Sequence, residues 1–313
     1  MNQVYKYCGY SKQAFHQKMD RKLKEREVEL LLIPIITELR QEHPGVSARK
    51  FYDMVGPVGI GRDKFEALCF QNGLKLSRQR SYRRTTDSTG VVRFPNLVLG
   101  REFTAVNQAW VSDITYYQIG KNFYYLTFIM DLFSRTIVGY SVSKRLSTEQ
   151  TTLIALKAAL KDRNVEEGVI FHSDGGGQYY CKDFLELTGK YKMKNSMCEM
   201  AYENPHAERI NGTIKNQYLK GYNPRNFAEL KRQTDRAVNN YNNVRPHDSL
   251  KRKTPLGFEK TKPAGGASLT NDNFCISMNT DRLHQKNHHL SKSLTEINKM
   301  VKTDPKTVNV IQA

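Results

Sequence analysis

Two stretches rich in Val, Ile, Tyr and Phe, Ala109–Gln118 (AWVSDITYYQ) and Asn122–Leu132 (NFYYLTFIMDL), flank the dipeptide Gly120-Lys121. Runs of this kind joined by a short glycine-containing turn form a β-hairpin, and no other pattern in the chain is as restrictive. Around it the spacing changes. Arg135–Ser143 continues as a third strand. Ser147–Lys161 carries Leu153, Leu156 and Leu160 on one side at helical spacing. Val169–His172 is a short apolar strand, Phe184–Thr188 reads as helix and Tyr191–Ser196 as a fifth strand. Asn204 stands where a cap would start a helix through Leu219, with Pro205 at its first position, and a further helix spans Phe227–Tyr241. Three strands, helix, strand, helix, strand, helix is a mixed α/β order.

Three acids occupy unusual places in this frame. Asp113 interrupts an apolar strand between Ser112 and Ile114, where a charge is costly to bury. Asp174 follows the strand VIFHS and precedes Gly175-Gly176-Gly177, an acid at a strand's carboxyl end beside open backbone. Glu208 sits one turn into the helix that starts near Pro205. Carboxylates gathered in one place suit hard cations such as Mg²⁺ or Mn²⁺, and two such ions can clamp the oxygens of a phosphoryl transfer. Spacing alone leaves a second reading open, in which these acids serve as helix caps and turn residues. Asp131 and Arg135, at the end of the second strand, are expected to stabilise the turn or form an ion pair.

The flanking regions differ in texture. Residues 1–75 read as helical, with Ser11 opening a short helix through Lys18, a longer one over Asp20–Glu42 that Pro34 kinks, and a break at His43-Pro44-Gly45. Ser47 would cap a helix to Met54, followed by a turn over Gly56–Gly61 and a helix over Arg62–Asn72 with Phe65, Leu68 and Cys69 on one face. This is the outline of a helix-turn-helix, and a plain helical bundle has the same outline. Residues 76–107 form a basic linker in which Arg78, Arg80, Arg83 and Arg84 surround Tyr82. It reads equally as a strap along a phosphate backbone or as a solvated connector. Residues 260–313 form a polar tail with a short helix near Ser291–Val301.

With 49 Lys and Arg against 31 acids, the net charge of +18 favours polyanionic partners, nucleic acid first. The best apolar run, Leu30–Ile36, is too short to span a bilayer, and Met1–Tyr10 lacks the apolar stretch of a signal peptide, so a cytoplasmic location is expected. Cys8, Cys69, Cys181, Cys198 and Cys275 are scattered without a C-x-x-C pair, which argues against disulfides and a structural zinc site.

The strings WVSDITYY, YYLTFIMDLFSRTIVGYSVS, FHSDGGGQY, NPHAERINGTIKNQYL and YNNVRPHDSLKRKTP resemble the integrase core of insertion-sequence transposases. In particular they resemble the second-frame product (OrfB) of the family whose members often make a frameshifted fusion. CGYSKQAFHQK resembles that family's opening helix, and residues 26–76 its helix-turn-helix segment. The resemblance implies an RNase H-like five-stranded sheet flanked by helices over residues 108–259, preceded by an all-α DNA-binding region. It implies a catalytic triad of Asp113, Asp174 and Glu208 holding Mg²⁺ or Mn²⁺, two ions in all. The stretch between Asp174 and Glu208 is shorter than the family's, with the loss around Met200–Tyr202, which favours Glu208 over Glu203 as the third ligand. It further implies Lys215, seven residues after Glu208, as a DNA-end contact, with Arg209 beside it. Arg62 and Lys64 would bind terminal repeats, and Arg83 and Arg84 the DNA backbone. The activity implied is cleavage at element ends and joining of 3′-hydroxyls to target DNA by a multimer on double-stranded DNA. A DNA-binding remnant or regulator without catalysis, or a nuclease of the same fold without joining, are the alternatives.

Overall fold

The computed structural model describes residues 5, 7, 9–76, 93–198 and 204–261. They fall into two compact units, residues 9–42 with 46–76, and residues 43–45 with 93–261.

The first unit is helical. α1 (Lys12–Glu42) is one uninterrupted helix, where the sequence suggested a break before Asp20, and it contains Pro34. The Ser11 hydroxyl accepts from the Ala14 amide at 3.1 Å and caps it. Nothing in Lys18-Met19-Asp20 disfavours helix, so a single cap suffices for the whole run. α2 (Ala48–Val55) starts at Ser47, whose side chain accepts from the Lys50 amide, and stops at Gly56 with φ 57°, the left-handed conformation glycine tolerates. α3 (Arg62–Gln71) buries Phe65, Leu68 and Cys69. Arg40 ties the three helices together. Its guanidinium donates to the Val46 and Leu74 carbonyls at 2.6 and 2.8 Å and lies 4.4 Å over the Phe51 ring.

The second unit is built on a five-stranded sheet of order β3-β2-β1-β4-β5. β1 (Ala109–Ile119) and β2 (Asn122–Asp131) form the expected antiparallel hairpin, with Ile119 opposite Asn122 and Gly120 at φ 59° in the turn. β3 (Ile137–Ser143) continues the meander antiparallel to β2. It begins two residues later than expected because Arg135, at φ 64°, belongs to the turn. β4 (Ile170–Ser173) and β5 (Lys194–Met197) add in parallel on the other side of β1. An antiparallel β1–β2–β3 meander extended by two parallel strands is the RNase H-like order.

α4 (Thr152–Asp162) packs against β3 so closely that a Cβ on Gly139 would lie 2.2 Å from the Ala155 carbonyl oxygen. With α5 (Lys182–Lys190) it covers a core that includes Trp110, Ile129, Leu156, Phe171, Tyr179 and Phe184. α6 (Pro205–Gly212) runs straight into a π-helical stretch (Thr213–Leu219) and a closing α-turn (Lys220–Tyr222). Its far end is held by Tyr117, which donates to the Leu219 carbonyl at 3.2 Å, and by the Gly45 amide, which donates to the Gln217 carbonyl at 2.7 Å. α7 (Phe227–Asn243) and α8 (Pro255–Thr261) complete the unit. No helix among the described residues is long and apolar enough to cross a membrane. The expected helix near Ser291–Val301 lies outside the described residues.

Candidate active site

The site lies where β1 and β4 run side by side. Their parallel register sets Ala109 against Ile170, Trp110 against Phe171 and Val111 against His172. Two residues further, the same register brings Asp113 abreast of Asp174. β4 ends at Ser173, so Asp174 is the first residue past its carboxyl end. A side chain at Gly176 would crowd this acid. A Cβ on Gly176 would sit 3.0 Å from Asp174 Oδ1, and the Gly176 amide donates to that oxygen at 3.2 Å.

Burial first, then the charge of Asp174 and more weakly that of Glu208, push the Asp113 carboxyl up to about 7, against hydrogen bonds that favour its charged form. Burial also raises Asp174. Asn211, on α6, donates from Nδ2 to Asp113 Oδ2 at 2.8 Å. Tyr179 is fully enclosed, and its hydroxyl is hydrogen bonded with Ser112 Oγ at 2.9 Å. Burial, then the charges of Asp174 and Asp113, raise it well above the ordinary phenol value, so it stays neutral. Asn204 does not cap α6 with its side chain as expected. Its Nδ2 donates to the Ser112 carbonyl at 3.0 Å and pins the start of α6 to β1 beside Asp113.

Glu208 is exposed on α6, within electrostatic reach of Asp113. Among the described residues no three His, Cys, Asp or Glu side chains are gathered tightly enough to hold a metal ion. The two aspartates nevertheless have the chemistry that fits a divalent cation: half-buried oxygen donors, one of them pushed up to about 7 by burial and then by its neighbour's charge, which a cation would offset. Glu203 lies outside the described residues.

Lys215 lies on the same side as the aspartates. It donates to Thr115 Oγ1 at 2.9 Å, its ammonium stands 4.9 Å over the Tyr116 ring, and burial lowers its pKa. Arg209 is exposed on α6. Arg135 reaches the same helix and donates to His206 Nδ1 at 2.8 Å. Burial, then Arg135 and Arg209, push His206 down to about 4, so its ring is neutral and can accept. Asp131 is a turn residue. Its carboxylate accepts from the Phe133, Ser134 and Asn107 amides and from the Ser134 hydroxyl. Arg245, of the RPH string, is buried, and the His247 ring packs edge-on against Tyr241 at 4.7 Å, which makes this motif a packing element of α7. In the first unit, Arg62 pairs with Asp63 at 3.6 Å and Lys64 with Glu25 at 2.8 Å. Arg83 and Arg84 lie outside the described residues. Sequence reasoning passed over Asn211, Tyr179 and Asn204 as site residues. The only signal was their presence inside the quoted motif strings.

Comparison with known proteins adds the following. Residues 104–202 match the integrase core domain family, and a second family of the same description matches residues 190–255. A 31 kDa protein of insertion element IS600 from Shigella sonnei is 29% identical over 259 residues, covering 80% of this chain and 94% of that protein. An Escherichia coli protein named as the InsK transposase of insertion sequence element IS150 is 31% identical over 197 residues, covering 61% of this chain and 67% of its own length. The catalytic core domain of HTLV-2 integrase, solved in complex with magnesium in a dimeric form, is 23% identical with a TM-score of 0.40, covering 50% of this chain and 97% of that one. At that similarity the strand order, not the overlay, carries the fold assignment.

Proposed function

Because this chain belongs to the insertion-sequence transposases that carry an integrase core domain, we propose that Asp113, Asp174 and Glu208 form its catalytic centre for cutting element ends and joining 3′-hydroxyls to target DNA. The family's work is DNA transposition, and the chain acts as a polynucleotidyl transferase. The observation that carries the residue assignment is the half-buried pair Asp113 and Asp174 at the carboxyl end of parallel strands, with the charge of Asp174 raising Asp113. The cations proposed are Mg²⁺ or Mn²⁺, two in number, which when bound supply counter-charge and stabilise the attacking and leaving oxygens of an in-line displacement.

The chain's own residues prepare the site. Asn211 fixes the orientation of the Asp113 carboxylate through Oδ2. Gly176 leaves space beside Asp174 Oδ1 and donates to it. Ser112 and the neutral Tyr179 hold the strand below the two acids. Glu208 joins the pair once the charge it adds is compensated. Lys215 and Arg209 offer positive charge to a DNA end on the same face. In this reading residues 1–75, with Arg62 and Lys64, bind the terminal repeats. Arg83 and Arg84 in the linker of residues 76–107 meet the backbone, residues 108–259 catalyse, and the assembly on double-stranded DNA is a multimer.

Strand-transfer assays with labelled element-end DNA and Mg²⁺ test this. Wild type joins ends to target, and Asp174→Asn abolishes joining while binding the same DNA. Equal loss of binding would remove the metal-site assignment. Cleavage without joining would identify a nuclease, and binding without either step a regulator.

A further inference from the structure

α1 carries apolar side chains on two opposite faces. At 100° per residue, Leu32, Ile35 and Ile36 point into the core of their own unit. Met19, Leu23 and Leu30 lie on the opposite side of the helix, 41%, 54% and 61% exposed. Aligned on one solvent-facing side of the helix, these side chains offer a surface that a second helix can cover. Arg26 and Glu27 lie along this stripe between Leu23 and Leu30, both exposed, and neither has an ion-pair partner among the described residues.

We propose that this face is a self-association surface on which two copies of the chain pair through α1 in antiparallel orientation, with the two-fold axis midway between Leu23 and Leu30. The charge pattern selects both the occupant and the direction. On this face Arg26 precedes the axis and Glu27 follows it. A parallel pair stacks like charges on one another. An antiparallel pair sets opposite charges together. On that axis Leu23 meets the partner's Leu30, and Arg26 meets the partner's Glu27, each twice by symmetry. A single helix thus serves its own unit with one face and a second copy with the other, using the knobs-into-holes packing of paired helices.

Cysteine cross-linking of the full-length chain reads this geometry without reading catalysis, so its failure leaves the proposed catalytic centre untouched. In an antiparallel pair residue 23 lies beside residue 30 of the other copy and about 10 Å along the axis from residue 23 of that copy, beyond disulfide reach. A mixture of Leu23→Cys and Leu30→Cys chains is expected to give a cross-linked dimer on mild oxidation. Each variant alone stays at the wild-type background set by the native cysteines. Either variant cross-linking to itself as readily, or a mixture that stays at background, overturns the proposal. Both substitutions lie on the solvent side of α1, away from its core.

A charge swap checks the register. Arg26→Glu in both cysteine chains places Glu against the partner's Glu27 and slows cross-linking several-fold. Arg26→Glu in one chain with Glu27→Arg in the other restores it. An unchanged rate in the first case, or no recovery in the second, rejects the Arg26–Glu27 pairing.

Discussion

Asn211 Nδ2 lies 2.8 Å from Asp113 Oδ2, joining α6, the helix of Glu208, to the central strand of the sheet. The bond has two consequences. It favours the charged form of the Asp113 carboxyl, which burial and Asp174 oppose. It also fixes the face of α6 that looks at the acids. Asn211→Asp sets another carboxylate against Asp113 and is expected to move the acidic limb of the joining reaction to higher pH by about one unit. Asn211→Ala lowers the rate with a smaller shift. Joining measured across a pH series distinguishes the two, and identical profiles would show that Asn211 only packs.

The raised Asp113 pKa makes the metal-free chain less stable as pH rises. The folded value of about 7 exceeds the ordinary 3.8, so the folded state binds this proton more tightly than the unfolded state. The stability contribution is complete below about pH 4 and is lost as pH rises through 7. In the absence of divalent cations, Asp113→Asn is therefore expected to melt above wild type at pH 8 and close to it at pH 4. Mg²⁺ should raise the melting temperature of wild type at pH 8 and much less at pH 5. Thermal melts with and without Mg²⁺ decide it, and an Asp113→Asn advantage that is the same at both pH values would count against the assignment.

Asp131, buried at the end of β2, holds the turn to β3 by accepting from three amides and a hydroxyl. Asp131→Ala leaves those donors without an acceptor and is expected to cost about 2–4 kcal/mol in chemical denaturation. Mg²⁺ affinity in the folded fraction should not change. Lost affinity at full folding would instead make Asp131 part of the metal site.

Gly139 is the point at which β3 touches α4. Because an added Cβ would meet the Ala155 carbonyl oxygen at 2.2 Å, backbone must move to admit any side chain. Gly139→Ala is expected to lower stability by roughly 1–3 kcal/mol. A melting temperature equal to wild type would mean that α4 can slide on the sheet.

The order of amino acids alone determined a good deal. The apolar runs around Gly120-Lys121 set the hairpin, and the Ser47 and Gly56 signals bounded α2. The strings around Asp113, Asp174 and Glu208 carried the family. Those features are local, or are written directly in residue identity. Tertiary structure decided what depends on distance between remote segments. The parallel register of β1 with β4 sets Asp113 beside Asp174. Packing turned Asn204 from a cap into a tie to Ser112, and put Asn211 rather than Glu208 against Asp113. The helix after Gly212 widened into π geometry through Leu219. A pattern of hydrophobicity specifies which face is buried, but not which partner meets it or at what register. That is settled only when the faces close over one another and every buried polar group has to find a donor or acceptor.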